Sequence, residues 1–317
     1  MIMAILGLGV VVILAAAAIY VAATWAPDRP VDALKARWAT PPSKFVPLDG
    51  MQVHVRDVGP TDDPSPIVLL HGTGSSLHAW EGWASRFSDR RRVVSLDRPG
   101  FGLTGPNPTG DYSMDYYAGF VARLLDALGI RRCVLVGGSS GGGVAWHLAL
   151  AKPDRVAALV LVGAAGYPRS VPMSLGFRVA QSPLLSGVTS RILPRSMVEA
   201  SLRGTYGDVT KVTPELVERN YELTLRAGNR RALGETLRQL SARDDSAEIR
   251  RIGVPTLIIW GDRDTVVPPA DARRFHEDIT GSQLVIFPGL GHLPYEEDPE
   301  ATSAAVVAFL AALEVAN

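Results

Sequence analysis

The chain has 317 residues, with 32 Lys and Arg against 32 Asp and Glu, so its formal net charge is zero. That balance argues against a nucleic-acid binder, which needs a basic excess or a basic stripe. With 47% hydrophobic and 20% charged residues, the composition suits a packed globular body that needs neither disulfides nor metals for stability.

From Met1 to Trp25 there is no charged side chain, and Ile2 to Ala23 is almost wholly apolar. A run of roughly 20 such residues is long enough to cross a bilayer as a helix. Residues 1–25 are therefore predicted to form a single membrane anchor, with the lipid bilayer as partner. No Lys or Arg precedes the apolar stretch, and it is longer than the core of a usual signal peptide. Small residues at Ala22, Ala23 and Ala26 leave cleavage and export as the alternative. Basic residues follow the stretch at Arg29, Lys35 and Arg37, which favours a cytoplasmic body. Residues 26–44, with several prolines, read as a linker.

Beyond the linker, strands alternate with helices. Strands are predicted at Met51–Val58, Pro66–Leu70, Arg92–Leu96, Cys133–Val136, Ala158–Val162, Thr256–Trp260 and Gln283–Phe287. Several are continuous apolar runs, as parallel strands covered on both faces should be. The single cysteine, Cys133, lies in one of them and reads as a packing residue. Helices are predicted at Tyr116–Leu128, Gly142–Ala151, Pro269–Ile279 and Pro299–Ala312. The alternation gives a doubly wound α/β fold with a mostly parallel sheet. Between Gly163 and Pro255 the alternation stops. There Thr213 and Pro214 suit the N-cap and first position of a helix, with Glu215 and Glu218 in its first turn. Residues 165–252 are expected to form a helical cap, inserted into a core of residues 45–164 and 253–317.

The chemistry centres on Val134-Leu-Val-Gly-Gly-Ser-Ser-Gly-Gly-Gly143. An apolar strand runs into Gly137-x-Ser139-x-Gly141 and on into a helix, the context in which this motif presents a nucleophilic serine. A shifted frame around Ser140 also fits. Ser139 is preferred because its opening glycine directly follows the strand. A phosphate-binding loop is the weaker rival, since no Lys-Ser/Thr ending is present.

A serine hydroxyl needs a base, and the base needs a partner to fix its tautomer. Of six histidines, His292 lies in a glycine-rich loop straight after a strand. His276 reads as a solvated residue of a charged helix, His147 as a packing residue, and His54 has no evident partner. Thr256–Trp260 leads into Asp262 and Asp264. Asp262 fits turn chemistry, whereas Asp264 completes the chain order Ser139, Asp264, His292. Leu69-Leu-His-Gly-Thr-Gly74 follows another strand, and there the backbone N–H of Thr73, with that of Ser140, is a candidate oxyanion donor. His71 reads as ordering that loop.

These segments, with Asp97-Arg-Pro-Gly-Phe-Gly102 and Gly291-His292, closely resemble the α/β-hydrolase superfamily over everything after the linker. The resemblance implies an eight-stranded sheet, with the cap inserted where residues 165–252 lie. The family's Asp-nucleophile members, haloalkane dehalogenases and epoxide hydrolases, are disfavoured by Ser139. The position before the serine, often His or Asn in relatives, is Gly138 here, which alters the pocket beside the turn. The resulting expectation is a serine hydrolase, without cofactor or metal, that cleaves a small-to-medium, partly apolar carboxylic ester. Met173, Leu175, Phe177, Leu184, Leu185 and Tyr206 of the cap are candidate substrate-wall residues, with cap packing as the equal alternative for each. The same triad also serves carbon–carbon bond hydrolysis of ring-cleavage products and cofactor-free perhydrolysis. A non-catalytic binding module is the reading from another class.

Overall fold

In the computed structural model, residues 14–15, 18–182, 184, 187, 190–240 and 244–316 are described. The strands are β1 Ser43–Leu48, β2 Met51–Val58, β3 Ile67–Leu70, β4 Val93–Leu96, β5 Cys133–Gly138, β6 Val156–Val162, β7 Thr256–Gly261 and β8 Gln283–Phe287. They form one sheet in the order β1-β2-β4-β3-β5-β6-β7-β8. β2 runs antiparallel to β1 and β4, and every pairing from β4 to β8 is parallel. Parallel pairing places the loops after β3, β5, β7 and β8 on one edge of the sheet, where ligands bind in open α/β folds.

The helices are α1 Val31–Trp38, α2 Glu81–Phe87, α3 Met114–Ala127, α4 Ser140–Ala151, α5 Leu175–Ala180, α6 Arg195–Arg203, α7 Pro214–Thr224, α8 Asn229–Leu240, α9 Pro269–Asp278, α10 Pro294–Glu297 and α11 Pro299–Ala316. β3, β4, β5 and β7 are buried along their whole length, so their continuous apolar runs face covered ground on both sides. One face packs on α3, α4 and α9 through residues such as Phe120, Val144 and Phe275. The other packs on α2 and α11 through Trp83, Phe87 and Phe309. The Trp83 indole donates to Thr302 Oγ1 at 2.9 Å and pins those two helices together.

α5 to α8 lie between β6 and β7. The Thr213 side chain accepts from Leu216 N and caps α7, with Pro214 in its first turn, as its sequence predicts.

Two differences from the sequence reading have physical causes. β1 was not anticipated: Lys44 and Pro47 interrupt its pattern, but at a sheet edge proline needs no ladder partner. The stretch read as a linker carries α1, whose Leu34 and Trp38 are buried against Leu103 and Leu223. Glu222 of α7 ties it down, accepting from Trp38 Nε1 at 2.7 Å, Arg29 at 2.5 Å and Arg37 at 3.2 Å. Among the described residues no helix is long and apolar enough to cross a membrane. Residues 1–13, 16 and 17 of the expected anchor lie outside the described residues.

Behind the sheet edge, Asp97 gathers three donors: Leu77 N at 2.7 Å, Leu103 N at 2.8 Å and His54 Nδ1 at 2.7 Å. His54, which had no evident partner in sequence, thus finds one 43 positions away and reaches Ser43 Oγ at 2.8 Å with its other nitrogen. Burial pulls the proton affinity of two neighbouring histidines far down, His71 to about 3 and His78 to about 4. Free histidine titrates near ~6.5, so between there and about 4 the unfolded chain binds protons that the folded chain refuses. Stability is therefore full above that range and falls as pH drops through it, by about 1.4 kcal/mol per pH unit for each histidine. Denaturant unfolding at pH 7.5, 5.5 and 4.5 should show this slope, and His78→Asn should reduce it by about one proton. Identical slopes in the two proteins would mean that His78 protonates freely in the fold.

Candidate active site

β5 ends at Gly138 and α4 begins at Ser140, leaving Ser139 at the turn with φ 54° and ψ −125°. A residue bearing a Cβ is strained there, at a cost of about 1–3 kcal/mol, and persists only when its surroundings hold it. Ser139 N donates to Val162 O at 2.9 Å, while its carbonyl accepts from Gly142 N and Ala165 N, each at 2.9 Å. Glycine is obligatory at 137 and 141. A Cβ at the first would run into the Gly141 backbone, and one at the second into the carbonyls of Leu70 and His71.

The two possible serine frames separate here. Ser140 is the first residue of α4, and its hydroxyl is engaged by Arg98 Nη2 at 2.9 Å and Thr73 Oγ1 at 2.8 Å. Both serines line the main cavity, and Ser139 alone of the two occupies the strained position. The departure at Gly138 is filled from outside: a Cβ there would meet the Tyr295 ring at 2.9 Å. That ring is fully buried and stacks on Trp80 with centroids 3.8 Å apart.

His292 follows β8 and is buried, and its Nδ1 lies 2.8 Å from Asp264 Oδ2. The other oxygen of Asp264 accepts from Val266 N at 2.8 Å and Val267 N at 2.9 Å, which fixes the carboxylate after β7. A carboxylate held in this way keeps the proton on Nδ1 and leaves Nε2 free to act as a base. Asp262 accepts from Gly289 N at 2.7 Å, a bond to the turn after β8 and not one within its own turn.

Thr73 lies in the loop after β3 and lines the same cavity as Ser139, Ser140 and His292. The Ser140 N–H, in the first turn of α4, is one of those a helix leaves without an intrahelical acceptor. His71 orders this loop: its Nδ1 donates to Gly72 O at 2.7 Å, and its Nε2 accepts from Arg98 N at 3.0 Å.

The cavity has a volume of about 1650 Å³. Of the predicted wall residues, Met173, Leu175 and Phe177 line it. Tyr206 does not. Its ring is buried in the core cluster with Leu202 and Leu216, because the segment after α6 turns inward beneath the His292 loop. Leu184 is 94% exposed and lines no part of the cavity. Leu185 lies outside the described residues. His147, read as a packing residue, lines the cavity and sits 3.2 Å from Asp245. Tyr20 and Val21 from the N-terminal segment line it as well, and Trp25 bridges to Ile192 of the cap.

Glu297 was not singled out in the sequence. It is buried and accepts from Gly291 N at 2.6 Å, Gly207 N at 3.0 Å and Asp208 N at 3.1 Å. One carboxylate thus fastens the His292 loop to the cap, and a further bond runs from His292 N to Thr205 O at 2.7 Å. A lone Glu in an acidic stretch carries no local signal for such a role.

The family model for the α/β hydrolase fold matches residues 65–299. The chain belongs to this family. It is 31% identical over 259 residues to the 2-hydroxy-6-oxo-2,4-heptadienoate hydrolase of Pseudomonas putida, covering 78% of this chain and 89% of that one. A solved meta-cleavage product hydrolase of Pseudomonas fluorescens superposes with a TM-score of 0.73 at 30% identity, over 87% of this chain and 98% of that one. A solved membrane phospholipase A superposes with a TM-score of 0.74 at 25% identity, over 99% of both chains. Family and relatives together identify this α/β-hydrolase-fold protein as a hydrolase.

Removing the Glu297 clasp should weaken both fold and site. Glu297→Ala strands one buried N–H group, that of Gly291, and two half-buried ones, those of Gly207 and Asp208, and should lower stability by about 3 kcal/mol, with a smaller loss for Glu297→Gln, which keeps one acceptor oxygen. Urea unfolding of the two variants beside the parent measures this. Equal stability of all three would remove the clasp from the account.

Proposed function

We propose that this hydrolase is a serine esterase acting through an acyl-enzyme, with Ser139 as nucleophile, His292 as base and Asp264 as the partner that orients it. The observation carrying this reading is that Ser139, His292 and the Thr73 loop all open on one cavity with apolar walls. Ser139 Oγ attacks the ester carbonyl as His292 Nε2 takes its proton. The N–H groups of Thr73 and Ser140 hold the oxyanion. His292 then gives the proton to the departing alcohol oxygen, and water, deprotonated by the same imidazole, releases the acid and regenerates Ser139.

The cavity argues for an acyl group longer than the small-to-medium size expected from sequence. Its volume of about 1650 Å³ exceeds the ~300–1,000 Å³ of ordinary ligand sites. Met173, Leu175, Phe177, Ile192 and Met197 give it an apolar wall. The N-terminal apolar segment is proposed as a membrane anchor with a cytoplasmic body. Tyr20 and Val21 at the cavity wall would then bring the cavity mouth close to the lipid surface. The likeness of nearly the whole chain to a membrane phospholipase A supports that reading.

Carbon–carbon bond hydrolysis is the second reading, favoured by the likeness to a heptadienoate hydrolase and to a meta-cleavage product hydrolase. A carboxylate-bearing dienoate would call for a free cation in the cavity. Of the two arginines that line it, Arg230 is paired with Asp28 at 2.5 Å, whereas Arg169 has no ion-pair partner among the described residues and is the cation that would receive such a carboxylate.

A fluorophosphonate should label Ser139 alone, and His292→Ala should abolish the adduct, as read by peptide mass mapping. An adduct on Ser140, or none, would sink the assignment. On p-nitrophenyl esters, kcat/KM should rise from butyrate to dodecanoate. Turnover of a dienoate ring-cleavage product with no activity on any of these esters would favour the second reading.

A further inference from the structure

Arg98 follows Asp97 at the end of β4 and is completely buried. Among the described residues it pairs with no carboxylate, and its Nε and Nη1 have no hydrogen-bond partner. Its charge rests against two aromatic faces, Phe101 at 5.3 Å and Tyr117 at 5.0 Å from the ring centroids. The hydroxyl of Tyr117 is directed elsewhere, to Pro99 O at 2.8 Å. Arginine does not shed its proton in a protein, and a buried cation without a counter-ion is costly. Such an arrangement fits a place where negative charge forms during turnover.

The one hydrogen bond Arg98 makes with its guanidinium shows where that place is. Nη2 donates to Ser140 Oγ at 2.9 Å, and Ser140 Oγ is 2.8 Å from Thr73 Oγ1. These are the side chains of the two residues whose amides face the oxyanion. The chain of donors joins the loop after β3 to the first turn of α4, two segments 67 positions apart in sequence. The backbone N–H of Arg98 holds the β3 loop a second time, through His71 Nε2 at 3.0 Å.

We propose that Arg98 is a positioning residue for oxyanion stabilisation: through Ser140 Oγ and Thr73 Oγ1 it fixes the spacing of the two amide donors and sets a permanent positive charge behind them. The inference rests on the reading of Ser139 as nucleophile. Because charge appears at the oxyanion only beyond the ground state, Arg98 contributes to turnover and not to binding of the neutral ester. The Ser140 hydroxyl also acquires a purpose, that of a relay, which explains why it is held away from nucleophilic duty.

The test uses the full chain with Arg98→Met, Arg98→Lys and Ser140→Ala, an ester that the parent hydrolyses, and an alkylboronic acid, which forms a tetrahedral anion on an activated serine. Arg98→Met and Ser140→Ala should each lose about tenfold to a hundredfold in kcat with KM nearly unchanged. Boronate affinity should fall by a similar factor, and Arg98→Lys should recover part of both. Ser140→Ala keeps the backbone amide and removes only the relay, so it decides the matter if Arg98→Met does not fold. Unchanged kcat and boronate affinity in either folded variant, or a raised KM at parental kcat, would overturn the proposal. A parent that a fluorophosphonate does not label at Ser139 would overturn the nucleophile assignment as well. A labelled parent with unaffected variants overturns the role of Arg98 alone.

Discussion

Ser139 sits in a backbone conformation that a side chain disfavours, and much of the site is arranged around holding it there. β5 delivers the chain, α4 carries it away, and the strain is opposed by the hydrogen bonds that Ser139 donates to Val162 and accepts from Gly142 and Ala165. The surrounding glycines are consequences of that constraint, since the turn brings Gly141 against the carbonyls that end β3. With the backbone fixed, both serines line the cavity, and the hydroxyl of Ser140 is engaged by Arg98 and Thr73. Preorganisation of this kind leaves little to be reordered during a reaction.

The same economy of means recurs in three buried carboxylates. Asp97 draws together the turn before α2, the loop after β4 and His54 of β2. Glu222 fastens α1 to the cap, and Glu297 fastens the cap to the His292 loop. Each accepts several donors from segments distant in sequence, which is the condition under which a buried charge is tolerated. Asp264 follows the same pattern with Val266, Val267 and His292. The geometry of the site is thus maintained by side-chain to backbone bonds that act across the cap and core. Arg98 is the exception, a buried cation whose guanidinium has, among the described residues, only a serine hydroxyl as hydrogen-bond acceptor.

Much of this was legible in the sequence, for local reasons. Continuous apolar runs announce covered parallel strands, and Gly137-x-Ser139-x-Gly141 after such a run announces a strand-to-helix turn. Thr213-Pro214 announces a helix start, and chain order singles out Asp264 and His292. β1 and α1 escaped notice because an edge strand tolerates Lys44 and Pro47, and because prolines around α1 resemble a linker.

The sequence by itself determined which elements form, in what order they follow, and which residues of catalytic type stand at strand ends. These are properties of neighbours along the chain, written in periodicity and in glycine and proline placement. Only the tertiary structure decided what engages the Ser140 hydroxyl, that Leu184 and Tyr206 stand away from the cavity while Met173 and Phe177 line it, and what His54, Asp97, Arg98 and Glu297 hold. Those outcomes depend on distances of a few ångströms between residues tens to hundreds of positions apart, and such distances are set by packing of the whole sheet and cap.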